Sequence, residues 1–124
     1  MAIVSFDREA LIDYVPEYAG NRESFDPCVV RLRYVPYSRV QHYARILAAR
    51  NKGIQDPARS TEIVHHIQKK QFTENVESIC GYYVEDREVC DPETFYDTAD
   101  TDLIIEIIRA MESTSRLTDG QRKN

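Results

Sequence analysis

Long apolar runs are missing from this 124-residue chain. None approaches the roughly 18–20 residues that cross a membrane as a helix. The first residues, MAIVSFDREALIDY, lack the basic start and apolar middle of a secretory signal. Cysteine is scarce and unpatterned: Cys28, Cys80 and Cys90 are odd in number and fit neither a disulfide framework nor a zinc motif. The expected setting is therefore reducing and cytoplasmic. The chain also has no phosphate-binding glycine loop, no nucleophile elbow and no acid–base pair at a telling spacing, so the reading is non-enzymatic, with no cofactor and no metal. His65 and His66 are adjacent within an expected helix, where neighbours point about 100° apart and do not chelate one ion from one face. The acids Glu85, Asp86, Glu88 and Asp91 lack the ligand spacing and central glycine of a calcium loop and read as a solvated loop. Cys80 and Cys90 can approach across a hairpin, but a structural disulfide does not suit the inferred compartment. Internal repeats, low-complexity tracts and domain linkers are absent too.

What is present suits one modest domain over residues 1–124. Hydrophobic content is an ordinary 42%, which argues against a disordered chain. The net charge of −5 is unevenly spread. Residues 28–72 hold nine Lys or Arg and two acids, whereas residues 73–112 hold twelve acids and two Arg. Such asymmetry fits a basic partner-binding surface, or two halves that attract each other within or between subunits. The overall negative charge favours the second and argues against a dedicated nucleic-acid binder.

The most informative stretch is 100–115, DTDLIIEIIRAMESTS. Leu103, Ile104, Ile107, Ile108 and Met111 recur at helical spacing, and Asp102, Glu106, Arg109 and Glu112 fall opposite them. Asp100 is suited to cap this helix. The apolar face is the main core helix on one reading; on the other, part of it, including Leu103, Ile107 and Ile108, is a docking surface. Upstream, Ala2–Phe6 and Ala10–Val15 are β-prone and read as a small pairing turned at Asp7–Arg8–Glu9. Residues 17–27 read as a loop turning at Gly20–Asn21. Cys28–Val35, CVVRLRYV, is the best strand, with Val30, Leu32 and Tyr34 alternating against Arg31 and Arg33. Ser38–Arg50 reads as a helix opened by a Ser38/Gln41 capping box, with Val40, Tyr43, Ala44 and Leu47 as its apolar face and Gly53 as its left-handed terminator. A second helix opens at Asp56–Pro57, carries Ile63, Val64 and Ile67, and fades near Phe72. The short link makes the two an antiparallel hairpin. SICGYYV and EDREV read as a β-hairpin turned at Glu85–Asp86–Arg87, followed by a helical turn from Asp91–Pro92 to Tyr96. The fold class is thus α+β, mainly α. Residues 1–27 hold short strands and a loop, 28–72 a strand and a helical hairpin, 73–115 an acidic loop and an amphipathic helix, and 116–124 a flexible polar tail. Of the eight tyrosines, Tyr34, Tyr37 and Tyr43 sit in the basic segment and Tyr82, Tyr83 and Tyr96 in the acidic one. Tyrosine is at home on half-buried and interface positions.

Three stretches together resemble one family: PCVVRLRYVPYSRVQHYAR, FTENVESICGYYVEDREVCDPETFYDTA, and DLIIEIIRAMESTSRLTDGQRKN. The chain is similar to the small tail assembly chaperones of long-tailed bacteriophages and prophages. Their ending matches here at Leu103, Glu106–Ile107, Ala110–Met111–Glu112, Leu117, Gly120–Gln121 and Lys123–Asn124. The resemblance covers about three-quarters of the chain. It implies a protein of the bacterial host cytoplasm that binds the long helical tape-measure protein, recruits tail-tube subunits and is absent from the finished tail. It also implies a longer product made by ribosomal frameshifting near Arg122–Lys123–Asn124. An apolar helix face suits a helical client, and complementary basic and acidic regions suit a homo-oligomer. On this reading Arg39, Arg45 and Arg50 join Leu103, Ile107 and Ile108 as protein-binding residues. The competing readings are a structural phage protein, such as a head–tail completion or tube-associated subunit, and a small nucleic-acid-binding regulator using Arg31, Arg33, Arg39 and Arg45, with stacking tyrosines and steep salt dependence.

Overall fold

The structure, a computed structural model, describes the backbone of residues 11–122 and the side chains of residues 11–113. Its centre is a three-stranded antiparallel sheet, β1 (Leu11–Tyr14), β2 (Val29–Arg33) and β3 (Val76–Cys80), in the order β1-β2-β3. The class is mainly-α α+β, as the sequence suggests. Alternation in β2 sends Val30 and Leu32 into the core and leaves Arg31 exposed. Asp13 stands opposite Arg31 in the β1–β2 register and accepts from its guanidinium at 3.1 Å. The β2–β3 register shifts between Arg31 and Leu32, and Glu77, left over at the irregularity, pairs with Arg33. Ala2–Phe6, expected to pair with the β1 stretch, lie outside the described residues. The partner of β1 within them is β2.

Helix α1 (Tyr37–Asn51) and helix α2 (Pro57–Asn75) form the expected hairpin. The Ser38/Gln41 capping box does not form. Pro36 is the N-cap, and its carbonyl accepts from the amides of Arg39 at 2.9 Å and Val40 at 3.3 Å. Proline's fixed φ holds the chain extended until the helix begins, one residue before Ser38. At the other end Gly53 takes φ +79°, the left-handed turn that ends a helix. Asp56 caps α2 through the Ala58 amide, with Pro57 following. Of the apolar face assigned to α1 only Tyr43 is buried; Val40 and Leu47 are half-buried and Ala44 is exposed. Helix α1 packs chiefly on α2, whereas α2 also touches the sheet and both later helices.

Helix α2, expected to fade near Phe72, ends one turn later at Asn75, with Phe72 fully buried in that last turn. The Phe72 ring stacks parallel to Phe95 with centroids 5.7 Å apart, and lies 5.6 Å from Tyr96, while Tyr82 meets Phe95 edge-on at 4.5 Å. Phe95 and Tyr96 come from helix α3 (Pro92–Thr98), capped by Asp91 through the Thr94 amide. The expected β-hairpin exists as β4 (Tyr83–Val84) and β5 (Arg87–Glu88), but SIC belongs to β3 and the turn is only Glu85–Asp86. Both turn residues have positive φ, the requirement of a two-residue turn that matches strand twist. Arg87 therefore falls in the strand.

Helix α4 (Thr101–Arg122) closes the core. Leu103, Ile104, Ile107, Ile108 and Met111 are all at most 7% exposed, packed with Val30, Leu32, Val35, Phe72, Val76 and Ile79. The helix runs past Ser115, so 116–122, read from sequence as a flexible tail, continues it. Leu103, Ile107 and Ile108, assigned from sequence to a docking face, are 7%, 0% and 7% exposed and belong to this chain's own core, with Leu103 and Ile108 also bordering surface grooves.

Gly81 links β3 to β4 at φ +77°, and a Cβ there would lie 2.6 Å from the Pro27 carbonyl oxygen. Gly53 has the same sign of φ but nothing within 4 Å. Urea denaturation is expected to register about 2–4 kcal/mol of destabilisation for Gly81→Ala, from strain plus a backbone clash. Gly53→Ala should lose only about 1 kcal/mol, from strain alone.

Candidate docking surface

Strand β1 and the half-buried side of α4 enclose an open groove of about 630 Å³. Its floor is apolar: Ile12, Tyr14, Leu32, Ile105 and Ala110. Asp102, Glu106 and Arg109 stand at its polar margin, and Ser113 closes one end. From Asp102 to Ser113 the groove follows three turns of α4, about 16 Å at the helical rise. Ile105 also borders a smaller groove with His65, Gln68, Tyr96, Ala99, Thr101 and Ile104, so it forms the ridge between the two. Sequence reading did not single out Ile105. The available signal is its position in LIIEII, about 130° from the centre of the stripe of Leu103, Ile104, Ile107, Ile108 and Met111, where helical geometry turns an isoleucine away from the core.

Glu106 sets the shape of the groove. Its carboxylate accepts from the Tyr14 hydroxyl at 2.5 Å, the Glu17 amide at 2.7 Å and the Tyr18 amide at 3.1 Å. One charged side chain of α4 thus fastens the end of β1 and the start of the following 3-10 helix, Tyr18–Glu23. The Tyr18 hydroxyl adds a bond to Asp100 at 2.5 Å, at the head of α4. Asp100 lies below its ordinary pKa because Tyr18 and nearby amides donate to its carboxylate. Tyr14 is pushed up to about 12, first by burial and then by the carboxylate it donates to. The 3-10 turn itself needs left-handed backbone at Ala19 and Gly20, which places Asn21 to bridge Pro16 and Cys28.

The arginines assigned from sequence do not assemble into one surface. Arg39 and Arg50 fall on one side of α1, and Arg45 is more than 100° around the helix from both. Arg39 is engaged within the chain, donating to the Asn75 side-chain oxygen at 3.1 Å. Asn75 is fully buried and donates in turn to Tyr43 and to the Gln71 carbonyl, tying α1 to α2. Arg31 and Arg33 pair with Asp13 and Glu77. Three of the four arginines that a nucleic-acid reading needs are thus held by this chain's own groups. Lys69 bridges Glu93 and Asp97 of α3, and Lys70 pairs with Glu74. Much of the attraction between the basic and acidic halves is satisfied inside one subunit.

The three cysteines are free thiols; Cys28 is buried and its thiol is pushed up to about 11 by desolvation. Among the described residues no group of three or more His, Cys, Asp or Glu is placed to hold a metal ion, and no helix is long and apolar enough to cross a membrane. Compared with protein-family models, curated proteins and solved structures, the chain matches none.

Glu106→Ala strands two backbone donors and a hydroxyl, so a loss of about 1–3 kcal/mol is expected, with faster hydrogen exchange at the Glu17 and Tyr18 amides. Tyr14 gives a separate, alkaline signature. Its folded pKa is above the unfolded 10.0, so its contribution to stability is complete below pH 10 and is lost as pH rises through about 12. Stability followed by denaturation across that window should fall less steeply for Tyr14→Phe than for the parent protein.

Proposed function

We propose that this chain is a tail assembly chaperone of a long-tailed phage or prophage, acting without catalysis in the bacterial host cytoplasm. It holds a helical segment of the tape-measure protein in the groove between β1 and α4 and brings tail-tube subunits to it. The observation that carries the reading is the groove itself, an apolar trough three helical turns long with charged margins. An amphipathic helix lays its apolar stripe into such a trough, with anchors at three- and four-residue spacing. Ile105 is the natural central contact, because it is the isoleucine of α4 that the core leaves half-buried. The resemblance in the flanking stretches supplies the identity of the client. A structural virion subunit predicts a different outcome, since it would stay in purified tails.

Capture of the tape-measure protein from cells expressing the surrounding gene cluster tests this directly. Tagged wild-type chain should retain the tape-measure protein, with tail-tube subunits alongside, and purified tails should lack the chain. Ile105→Glu places a charge on the groove floor and should weaken capture tenfold or more while the circular dichroism stays that of the parent. Equal capture by this variant would move the client off the groove. Persistence of the chain in purified tails would replace the chaperone reading with the structural one.

A further inference from the structure

Among the described residues, the charges left without an ion pair include one basic cluster and one acidic cluster. Arg31, Arg33, Lys69 and Lys70 have carboxylate partners, and Arg39 has Asn75. Arg50, Lys52 and Arg59 have no ion pair among the described residues. They flank the loop between α1 and α2, and all three are exposed. The nearby Asp56 is occupied as the α2 cap.

On the acidic side, Glu74, Glu77, Glu93 and Asp97 are matched by bases, Glu106 holds the β1 end, and Asp91 and Asp100 cap helices. Glu23, Asp26, Glu62 and Asp102 have no base among the described residues, and nor do Glu85, Asp86 and Glu88, which cluster on the β4–β5 hairpin, all exposed, with one exposed base, Arg87, among them. Glu88 accepts from the Cys90 thiol at 3.3 Å but meets no base. Beside this hairpin lies the loop carrying Phe25 and Asp26: Ser24 and Tyr83 line one groove, and the Tyr83 hydroxyl pKa is raised first by its hydrogen bond to Glu88, with a smaller contribution from Asp26. Phe25 is 105% exposed and Tyr83 55%. Two aromatic rings in water beside carboxylates are unusual on a chain that fully buries Phe72 and Phe95.

The two regions do not reach each other within one molecule. The acidic region is anchored through Tyr82 and Phe95 to Phe72, near the C-terminal end of α2. Arg59 is at the N-terminal end, thirteen residues earlier, or about 20 Å along the helix. Complementary surfaces at separate poles of one chain are matched by a second copy. We propose that the chain associates head to tail, with the basic α1–α2 loop of one copy seated on the Phe25–Tyr83 surface and acidic β4–β5 hairpin of the next. Phe25 then lies against the exposed alanines Ala48 and Ala49, where arginine stems and guanidinium faces are available to both aromatic rings. Such a contact is heterologous, so it extends into chains or closes into a ring. The inference rests on charge and exposure alone and does not depend on the identity of any client.

The test is sedimentation velocity on the purified full chain, with two neutralised variants: R50Q/K52Q/R59Q for the basic pole and E85Q/D86N/E88Q for the acidic pole. Wild type should grow beyond the monomer with concentration at low salt and return to monomer near about 0.5 M salt, where charges are screened within a few ångströms. Each variant alone should associate at least tenfold more weakly. An equimolar mixture of the two should form a 1:1 complex and stop there, because it contains one intact pair of poles and one broken pair. Circular dichroism on each variant confirms that the changes are confined to the surface. A wild type that stays monomeric at every concentration and salt overturns the proposal. So does association that either variant preserves, or a mixture that forms no 1:1 complex.

Discussion

Burial of one helix face underlies the whole structure. Leu103, Ile104, Ile107, Ile108 and Met111 are covered on α4 by β2, β3, α2 and α3, and each buried side chain contributes on the order of 1.5–3 kcal/mol against the entropy of ordering the chain. No other element presents so continuous an apolar stripe. The sheet supplies Val30, Leu32, Val76 and Ile79 to meet it, and the stacked Phe72 and Phe95 rings fill the corner where α2, α3 and Tyr82, in the link from β3 to β4, converge. With that face committed inward, whatever α4 offers to a partner comes from its flank, which is where Ile105 and the β1 groove lie.

Polar contacts then decide orientation. Glu106 reaches from the flank of α4 to three donors around the end of β1, and Asn75 joins α1 to α2 from a fully buried position. Among the described residues no buried side-chain nitrogen or oxygen lacks a partner, which is the condition for such groups to stabilise rather than strain a core. Charge works at a longer range. The basic and acidic halves of the chain are matched where β2 meets β3 and where α2 meets α3. They remain unmatched at the α1–α2 loop and the β4–β5 hairpin, which the length of α2 holds apart. The β1–α4 groove and the two charged regions therefore occupy separate surfaces.

Local signals in the amino-acid sequence determined the elements. Period-two alternation marked β2, three-four spacing marked α4, Asp56–Pro57 and Asp91–Pro92 marked helix starts, and Gly53 marked a helix end. Each is an effect of a few neighbouring residues on their own backbone, so it survives without knowledge of the fold. Signals that needed a competing partner went astray. Ser38 is a good cap in isolation, yet Pro36 starts the helix before it. SIC reads as half of a hairpin, yet β2 offers Val76–Cys80 a longer edge than β4–β5 does.

Which side chains are buried, and by whom, only the tertiary structure decided. Leu103, Ile107 and Ile108 are as apolar in sequence as any docking surface, and nothing local tells a face covered by its own sheet from one kept for a partner. Arg39 and Arg45 are equally basic in sequence; the first is held by Asn75, 36 residues away, and the second is not. Ile105 gains its place on the groove from β1, which precedes it by about ninety residues. Burial and charge matching are properties of pairs distant along the chain, and pairing at such distance is set by how the elements pack, not by the residues beside them.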